Sequence, residues 1–218
     1  VKKSVVRSGI ENKKGDFMKL FFSPGACSMS VHIALQETGI GYDTAPVDLK
    51  THKWSGGDYF KINPKGYVPA LQLDNGEILT EVAVVLQYVA DQKPEARLIP
   101  QAGTLERYRC QEWLNFISAE IHKGFGPLWD PSSLAAVKEG AINKLNKKFE
   151  ILAKHLATRD YLMGQQYTVA DSYLFTILNW SNFLNVDLTA FPPLLGFMER
   201  VKTRPATFAV MKTEGLLK

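Results

Sequence analysis

Cysteine is scarce in this chain: 218 residues hold only Cys27 and Cys110. Two cysteines cannot build a disulfide framework, and their number fits a reducing, cytoplasmic compartment. Long apolar runs are lacking as well, and no stretch approaches the roughly 20 residues that a membrane-spanning helix needs. Charge of one sign is nearly balanced, at a formal +4. Most of that excess sits in residues 1–17, where Lys2, Lys3, Arg7, Lys13 and Lys14 face Glu11 and Asp16, a net of +3. The remaining chain carries about +1, which argues against a nucleic-acid footprint. No internal repeat is evident. What remains is a chain of ordinary globular composition, 45% hydrophobic and 22% charged, long enough for one large domain or two smaller ones.

Residues 1–17 have no helical or strand period and lack the apolar core of a secretory signal. Two readings stand: an upstream leader ahead of a natural start at Met18, or a disordered N-terminal tail.

One short stretch organises the rest, Phe22-Ser23-Pro24-Gly25-Ala26-Cys27-Ser28. An apolar β-like run, Leu20-Phe21-Phe22, leads into it, and the helical pattern Val31 to Glu37 leads out. Cys27 therefore falls where a strand turns into a helix. Free backbone N–H groups and the positive end of a helix dipole there favour a thiolate over a thiol. No second cysteine follows, so any disulfide exchange must run through an external thiol.

The spacing predicts a helix over 28–38 and a second strand over 42–49. A polar loop with one helical turn follows over 50–63. A hairpin of strands 68–73 and 77–79 then turns at Asp74-Asn75-Gly76, and a helix is expected over 80–91. This βαβ-ββα order is that of a thioredoxin-like domain, assigned to 18–96. Residues 97–104 form a linker with Pro100 and Gly103. From 105 to 218 every pattern is helical: 104–122, with an inward stripe of Cys110, Trp113, Leu114, Ile117 and Ile121, then 134–157, 169–184, 192–203 and 205–212. Residues 169–184 are apolar nearly all round and should form the buried central helix. Thr168 and Asp171 suit a capping box at its start. The fold class is thus α/β plus all-α.

An α/β half with a Cys turn and a Val-Pro strand start, followed by an all-α half, resembles the cytosolic glutathione transferases, and within them the bacterial beta class. The resemblance is carried by Met18 to Ser28, Asn63-Pro64-Lys65-Gly66-Tyr67-Val68-Pro69-Ala70-Leu71, Leu79-Thr80-Glu81, Trp113-Leu114-Asn115-Phe116, His122-Lys123-Gly124-Phe125 and Thr168-Val169-Ala170-Asp171. Each motif alone is weak. Together, in order and at compatible spacing from Met18 to the end, they are specific.

The resemblance implies that Cys27 contacts the sulfur of glutathione and can form a mixed disulfide with it. It also implies a cis Val68–Pro69 bond that offers the Val68 N–H and C=O to the cysteinyl backbone. Glu81 would hold the γ-glutamyl ammonium. Val82 stands where the family usually has a serine, so the amides of Val82 and Ala83 are left to bind the γ-glutamyl carboxylate. His122 is implied near the thiol, with Asn115 and Lys123 near the charged ends of glutathione. Asn115, Ala119 and His122 share one helix face. Ser28 either donates to the thiolate or caps the helix. Lys53, in a loosely aligned loop beside His52, is assigned to the glycyl carboxylate. Of the aromatic residues Phe125, Trp129, Tyr173, Trp180 and Phe183, two are assigned to an acceptor pocket, Phe125 and Trp180. Cys110 is read as inert core. The expected function is conjugation of the glutathione thiolate to hydrophobic electrophiles, by a homodimer that uses glutathione as co-substrate and no metal. The alternatives are a glutathione-dependent thiol–disulfide oxidoreductase or peroxidase working through Cys27, and a non-catalytic binding protein of the same fold.

Overall fold

The computed structural model describes residues 18–217; the expectation for residues 1–17 lies outside them. Strand β1 (Met18–Phe22) runs parallel to β2 (Tyr42–Pro46) and antiparallel to β5 (Ala70–Gln72), which pairs with β6 (Ile78–Thr80). The sheet order is β2-β1-β5-β6. Parallel β1 and β2 require a crossover, and α1 (Ser28–Thr38) supplies it. Side chains alternate across β1. Leu20 and Phe22 pack toward α1 and α2 (Val82–Asp91), while Phe21 joins Ala45, Val47, Tyr59, Val68 and Ala70 in a small core on the other face.

In this half β5 is shorter than the expected 68–73, and two other boundaries differ for a local reason. Strand β2 stops at Pro46 because the Asp48 carboxylate accepts the Lys50 amide (2.8 Å) and the Thr51 hydroxyl (2.8 Å), turning the chain. The loop beyond contains a two-residue hairpin, β3 (Lys53–Trp54) and β4 (Gly57–Asp58), and the expected single turn, a 3₁₀ helix at Tyr59–Lys61. Helix α2 starts at Val82 rather than 80, because Thr80 pairs in β6 and Glu81 has φ 71°, which no right-handed helix accommodates.

The second half is helical. Helix α3 (Leu105–Phe116) is capped by Thr104, whose hydroxyl accepts the Arg107 amide at 3.2 Å. It does not continue to 122 as an α-helix: Ile117–His122 is wound as a π-helix. Next come α4 (Gly126–Trp129), α5 (Ala135–Leu156), α6 (Val169–Leu178), α7 (Trp180–Leu184), α8 (Pro192–Lys202) and α9 (Pro205–Thr213). Every residue of α6 is buried. Its start is built around Asp171, which accepts the Thr168 amide (2.8 Å), the Thr168 hydroxyl (3.0 Å) and the Leu162 amide (2.8 Å). One continuous core joins the two halves, with α1 packed against α6 and α9.

Candidate active site

A cleft of about 820 Å³ opens between the sheet and the helices. Ser23 to Cys27, Val68, Pro69, Glu81 and Val82 form one side, and His122, Lys123, Tyr173 and Trp180 the other.

The turn that carries Cys27 is pinned from the helical half. The Gly25 amide donates to Oε2 of Glu214 (2.8 Å), and the Gly25 carbonyl accepts Nε1–H of Trp180 (2.8 Å). The other oxygen of Glu214 accepts Nδ1–H of His32, also at 2.8 Å and inside the core. Gly25 itself has φ 71°, which glycine adopts without penalty.

On the same side, beside this turn, the Val68–Pro69 bond is cis. Its loop is fixed by Tyr59 and Asn63, which both donate to the Tyr67 carbonyl, at 2.8 and 2.7 Å. Gly66, at φ 74°, leaves no space for a β-carbon, which would meet Phe60 at 2.9 Å and His52 at 3.1 Å. The Cys27 thiol donates to the Val68 carbonyl across the cleft floor at 3.1 Å.

That bond belongs to a thiol, which corrects the expectation of a favoured thiolate. Burial pushes the Cys27 pKa up to about 12. The amides of Cys27 and Ser28 and the Lys123 ammonium pull it down but do not prevail, and Glu81 pushes it further up. Cys110 is buried among core residues, as expected, and burial raises its pKa to about 11.

At the far end of the cleft Glu81 precedes α2 with its left-handed backbone, a conformation that costs a non-glycine residue about 1–3 kcal/mol. The amides of Val82 and Ala83 open the helix with no carbonyl inside it to bond. Lys65 donates to the Glu81 carboxylate (2.6 Å) and to the Thr80 hydroxyl (3.2 Å), with both charged side chains more than half exposed. A carboxylate, the free amides that open α2 and the Lys65 ammonium thus share one rim.

On the helical side, His122 accepts or donates at Nδ1 with the Tyr173 hydroxyl, 2.7 Å away. Burial, aided by the Lys123 charge and opposed by Glu81, lowers the His122 pKa to about 4. Near neutral pH the imidazole is uncharged and a poor base. Lys123 reaches toward the Tyr67 ring, 6.0 Å from its centre.

Four further expectations need correction. Lys53 is exposed and paired with Asp58 in the hairpin; His52, one residue earlier and at φ 50°, lines the cleft instead. Asn115 is exposed outside the cleft, because the π-helix that begins at Ile117 changes the face presented. Ser118, four residues before His122, takes the wall position. Ser28 neither caps α1 nor faces the cleft: its hydroxyl donates to the Ser23 carbonyl (3.3 Å) and accepts the Ser23 amide (3.1 Å). Phe125 is fully buried behind Trp180, with the two rings edge-to-face at 5.8 Å. The aromatic wall consists of Trp180 with Trp129, Tyr173 and Phe183. Lys65 and Ser118 were missed, although Ser118 lies at helical spacing from His122.

The match to known proteins follows this geometry. A family model described as "Glutathione S-transferase, N-terminal domain" matches residues 24–92, and one described as "Glutathione S-transferase, C-terminal domain" matches 116–205. The chain is 41% identical to Glutathione S-transferase GstA of Escherichia coli O157:H7, covering 91% of this chain and 100% of that one. It is similar to the solved structure of a sphingomonad glutathione S-transferase complexed with glutathione (43% identity, TM-score 0.88, 91% and 100% of the two chains). A bacterial beta class glutathione S-transferase from Sphingomonas chungbukensis has 46% identity and a TM-score of 0.88 over the same shares.

Proposed function

The chain belongs to the glutathione S-transferase family, and on that premise we propose that it transfers the thiolate of glutathione to small hydrophobic electrophiles in the cleft between Val68–Pro69 and Trp180. The observation that carries this reading is the union, in one cleft, of the Glu81 carboxylate beside the amides that open α2, the Val68–Pro69 backbone and an aromatic wall.

Glutathione has an ammonium and a carboxylate at its γ-glutamyl end. Glu81 takes the ammonium, displacing Lys65 from a pair too exposed to cost much. The amides of Val82 and Ala83 take the carboxylate. The cysteinyl unit adds to the Val68 N–H and C=O as an extra strand. That contact claims the carbonyl to which the Cys27 S–H now donates. The thiol is then free to donate to the glutathione sulfur, so Cys27 serves as a neutral hydrogen-bond donor beside the reacting atom. The glycyl carboxylate lies toward His52, and Lys123 adds positive charge at the rim. Trp129, Trp180 and Phe183 offer the electrophile an apolar surface.

The rival chemistry, attack by Cys27 on a disulfide or peroxide, needs its thiolate. With a pKa of about 12, only about one Cys27 in 10⁵ is ionised near pH 7. A mixed disulfide with glutathione therefore forms slowly and is a side reaction in this reading.

Residues 18–96 act as the glutathione-binding unit, 97–104 as a linker and 105–218 as the helical unit. The protein falls in the beta class, works in the cytoplasm on toxic electrophiles and assembles as a homodimer. Supporting the dimer are large apolar side chains left outside the core near the cleft and on α2 and α3, namely Tyr67, Val84 and Tyr108. The test is retention on immobilised glutathione together with conjugation of a broad panel of electrophiles. Protein that does neither would sink the reading, and sedimentation at a monomer mass would sink the dimer.

A further inference from the structure

We propose that Tyr173 is a positioning residue: its phenol donates to Nδ1 of His122, fixes the imidazole as the Nε2–H tautomer, and so makes His122 a hydrogen-bond donor to the glutathione sulfur instead of a base. The part that concerns sulfur rests on the glutathione reading above; the tautomer does not.

The contact between Nδ1 and the Tyr173 oxygen is 2.7 Å. That is short for an N–H···O bond, which centres at about 2.9–3.0 Å, and normal for an O–H donor. Chemistry gives the same direction. A neutral imidazole nitrogen is a far better acceptor than a phenol oxygen, and a phenol is a better donor than a neutral imidazole N–H. The Tyr173 oxygen has a further partner in the Ser118 side chain. Ser118 and His122 are both in the π-helical segment, four residues apart, and so face Tyr173 on α6 together. The imidazole is also clamped by rings. Trp180 lies edge-to-face with it at 4.9 Å, and Tyr173 at 5.9 Å.

With Nδ1 engaged, a neutral imidazole carries its single proton on Nε2. No described protein group bonds that nitrogen, and His122 lines the cleft that Cys27 also lines. The charged groups that act on His122 are Lys123 and Glu81, and Cys27 is near enough to influence Tyr173. The low basicity of His122 agrees with the assignment. Moving a proton from a thiol of pKa about 8.5 to a group of pKa about 4 is unfavourable by more than 10⁴-fold. When glutathione ionises, its thiol proton therefore leaves to water through the open cleft, and the Nε2–H bonds the sulfur that remains.

Two measurements test this. The first uses ligand-free protein: ¹⁵N NMR of the His122 ring at neutral pH, assigned by the resonances lost in His122→Gln. Pyrrole-type Nε2 and pyridine-type Nδ1 are expected, and the reverse pattern overturns the proposal whether or not glutathione binds. The second follows the ultraviolet thiolate band of bound glutathione against pH. Tyr173→Phe should raise the apparent thiol pKa by about one unit, a tenfold loss of thiolate, and His122→Ala by at least as much. His122→Gln, which keeps a donor but cannot act as a base, should recover most of what His122→Ala loses. If wild-type protein binds no glutathione, the functional reading fails and the NMR result still judges the tautomer. If glutathione binds and Tyr173→Phe leaves the thiol pKa unchanged, or His122→Gln is as impaired as His122→Ala, the positioning role is refuted.

Discussion

Replacing Glu214 with Gln tests how the Cys27 turn is held. The carboxylate serves two donors from two parts of the N-terminal half, the Gly25 amide and Nδ1–H of His32, each at 2.8 Å. Gln offers one acceptor oxygen and an NH₂ group. Its oxygen can accept the Gly25 amide, but the NH₂ then faces Nδ1–H of His32 inside the core, and the two donors clash unless the imidazole gives up that tautomer. A buried donor left unsatisfied costs about 1–3 kcal/mol, and the upper half of that range applies because the lost acceptor is charged. A loss of about 2 kcal/mol is expected for Glu214→Gln. Glu214→Ala strands both donors and leaves a cavity, so it should cost about 4 kcal/mol. For a chain of this size, with a urea m-value of about 3 kcal/mol/M, the midpoints should fall by about 0.7 and 1.3 M with m unchanged. Pairing with His32→Ala should reveal non-additivity of about 1 kcal/mol or more, since the two residues share a bond. The glutathione KM should rise with the same substitutions, because the loosened turn supplies one wall of the cleft. A Glu214→Gln midpoint within about 0.2 M of wild type would refute the claim that this carboxylate anchors the turn.

Cys27→Ala should retain conjugation within about a hundredfold, the upper worth of one hydrogen bond to a charged sulfur, and native wild-type protein should react slowly with a disulfide reagent; a loss of activity beyond a thousandfold would make Cys27 an essential nucleophile. Glu81→Gln should raise the glutathione KM at least tenfold while the urea midpoint barely moves, because the side chain is exposed and its pair with Lys65 contributes little; equal KM values would remove Glu81 from the ammonium seat. Asp171→Asn should destabilise by about 2–3 kcal/mol at pH 5, since an amide NH₂ cannot accept the Thr168 N–H as the second carboxyl oxygen does in either protonation state. Burial raises the Asp171 pKa to about 6 from an unfolded value near 3.8, so the wild-type carboxyl contributes fully below pH 3.8 and progressively less as pH rises through 6. The gap between the two proteins in urea should therefore narrow between pH 5 and pH 8; a gap that widens contradicts the sign.

What could be read along the chain was whatever depends on neighbours in sequence. Helix α1, the hairpin at Asp74-Asn75-Gly76 and the Thr168–Asp171 start of α6 all declare themselves within a few residues, while the cis Val68–Pro69 bond was implied by the family resemblance. What escaped depends on distance or on burial. The anchor of the Cys27 turn is Glu214, 189 residues from Gly25. The helix N-terminus argues for a thiolate at Cys27, and only the folded packing makes desolvation outweigh it. One π-helical segment separates Asn115 from Ser118, and a one-residue register in an irregular loop separates Lys53 from His52. Phe125 and Phe183 are alike in sequence, yet one is core and the other lines the cleft.

The central claim is that this cleft binds glutathione and holds it as a thiolate. Calorimetric titration of glutathione at pH 7, repeated in buffers of different ionisation enthalpy, counts the protons released on binding. A free thiol of pKa about 8.5 is only about 3% ionised at that pH. Saturable one-site binding with release approaching one proton is the expected result. No binding, or binding with no proton released, would contradict the account.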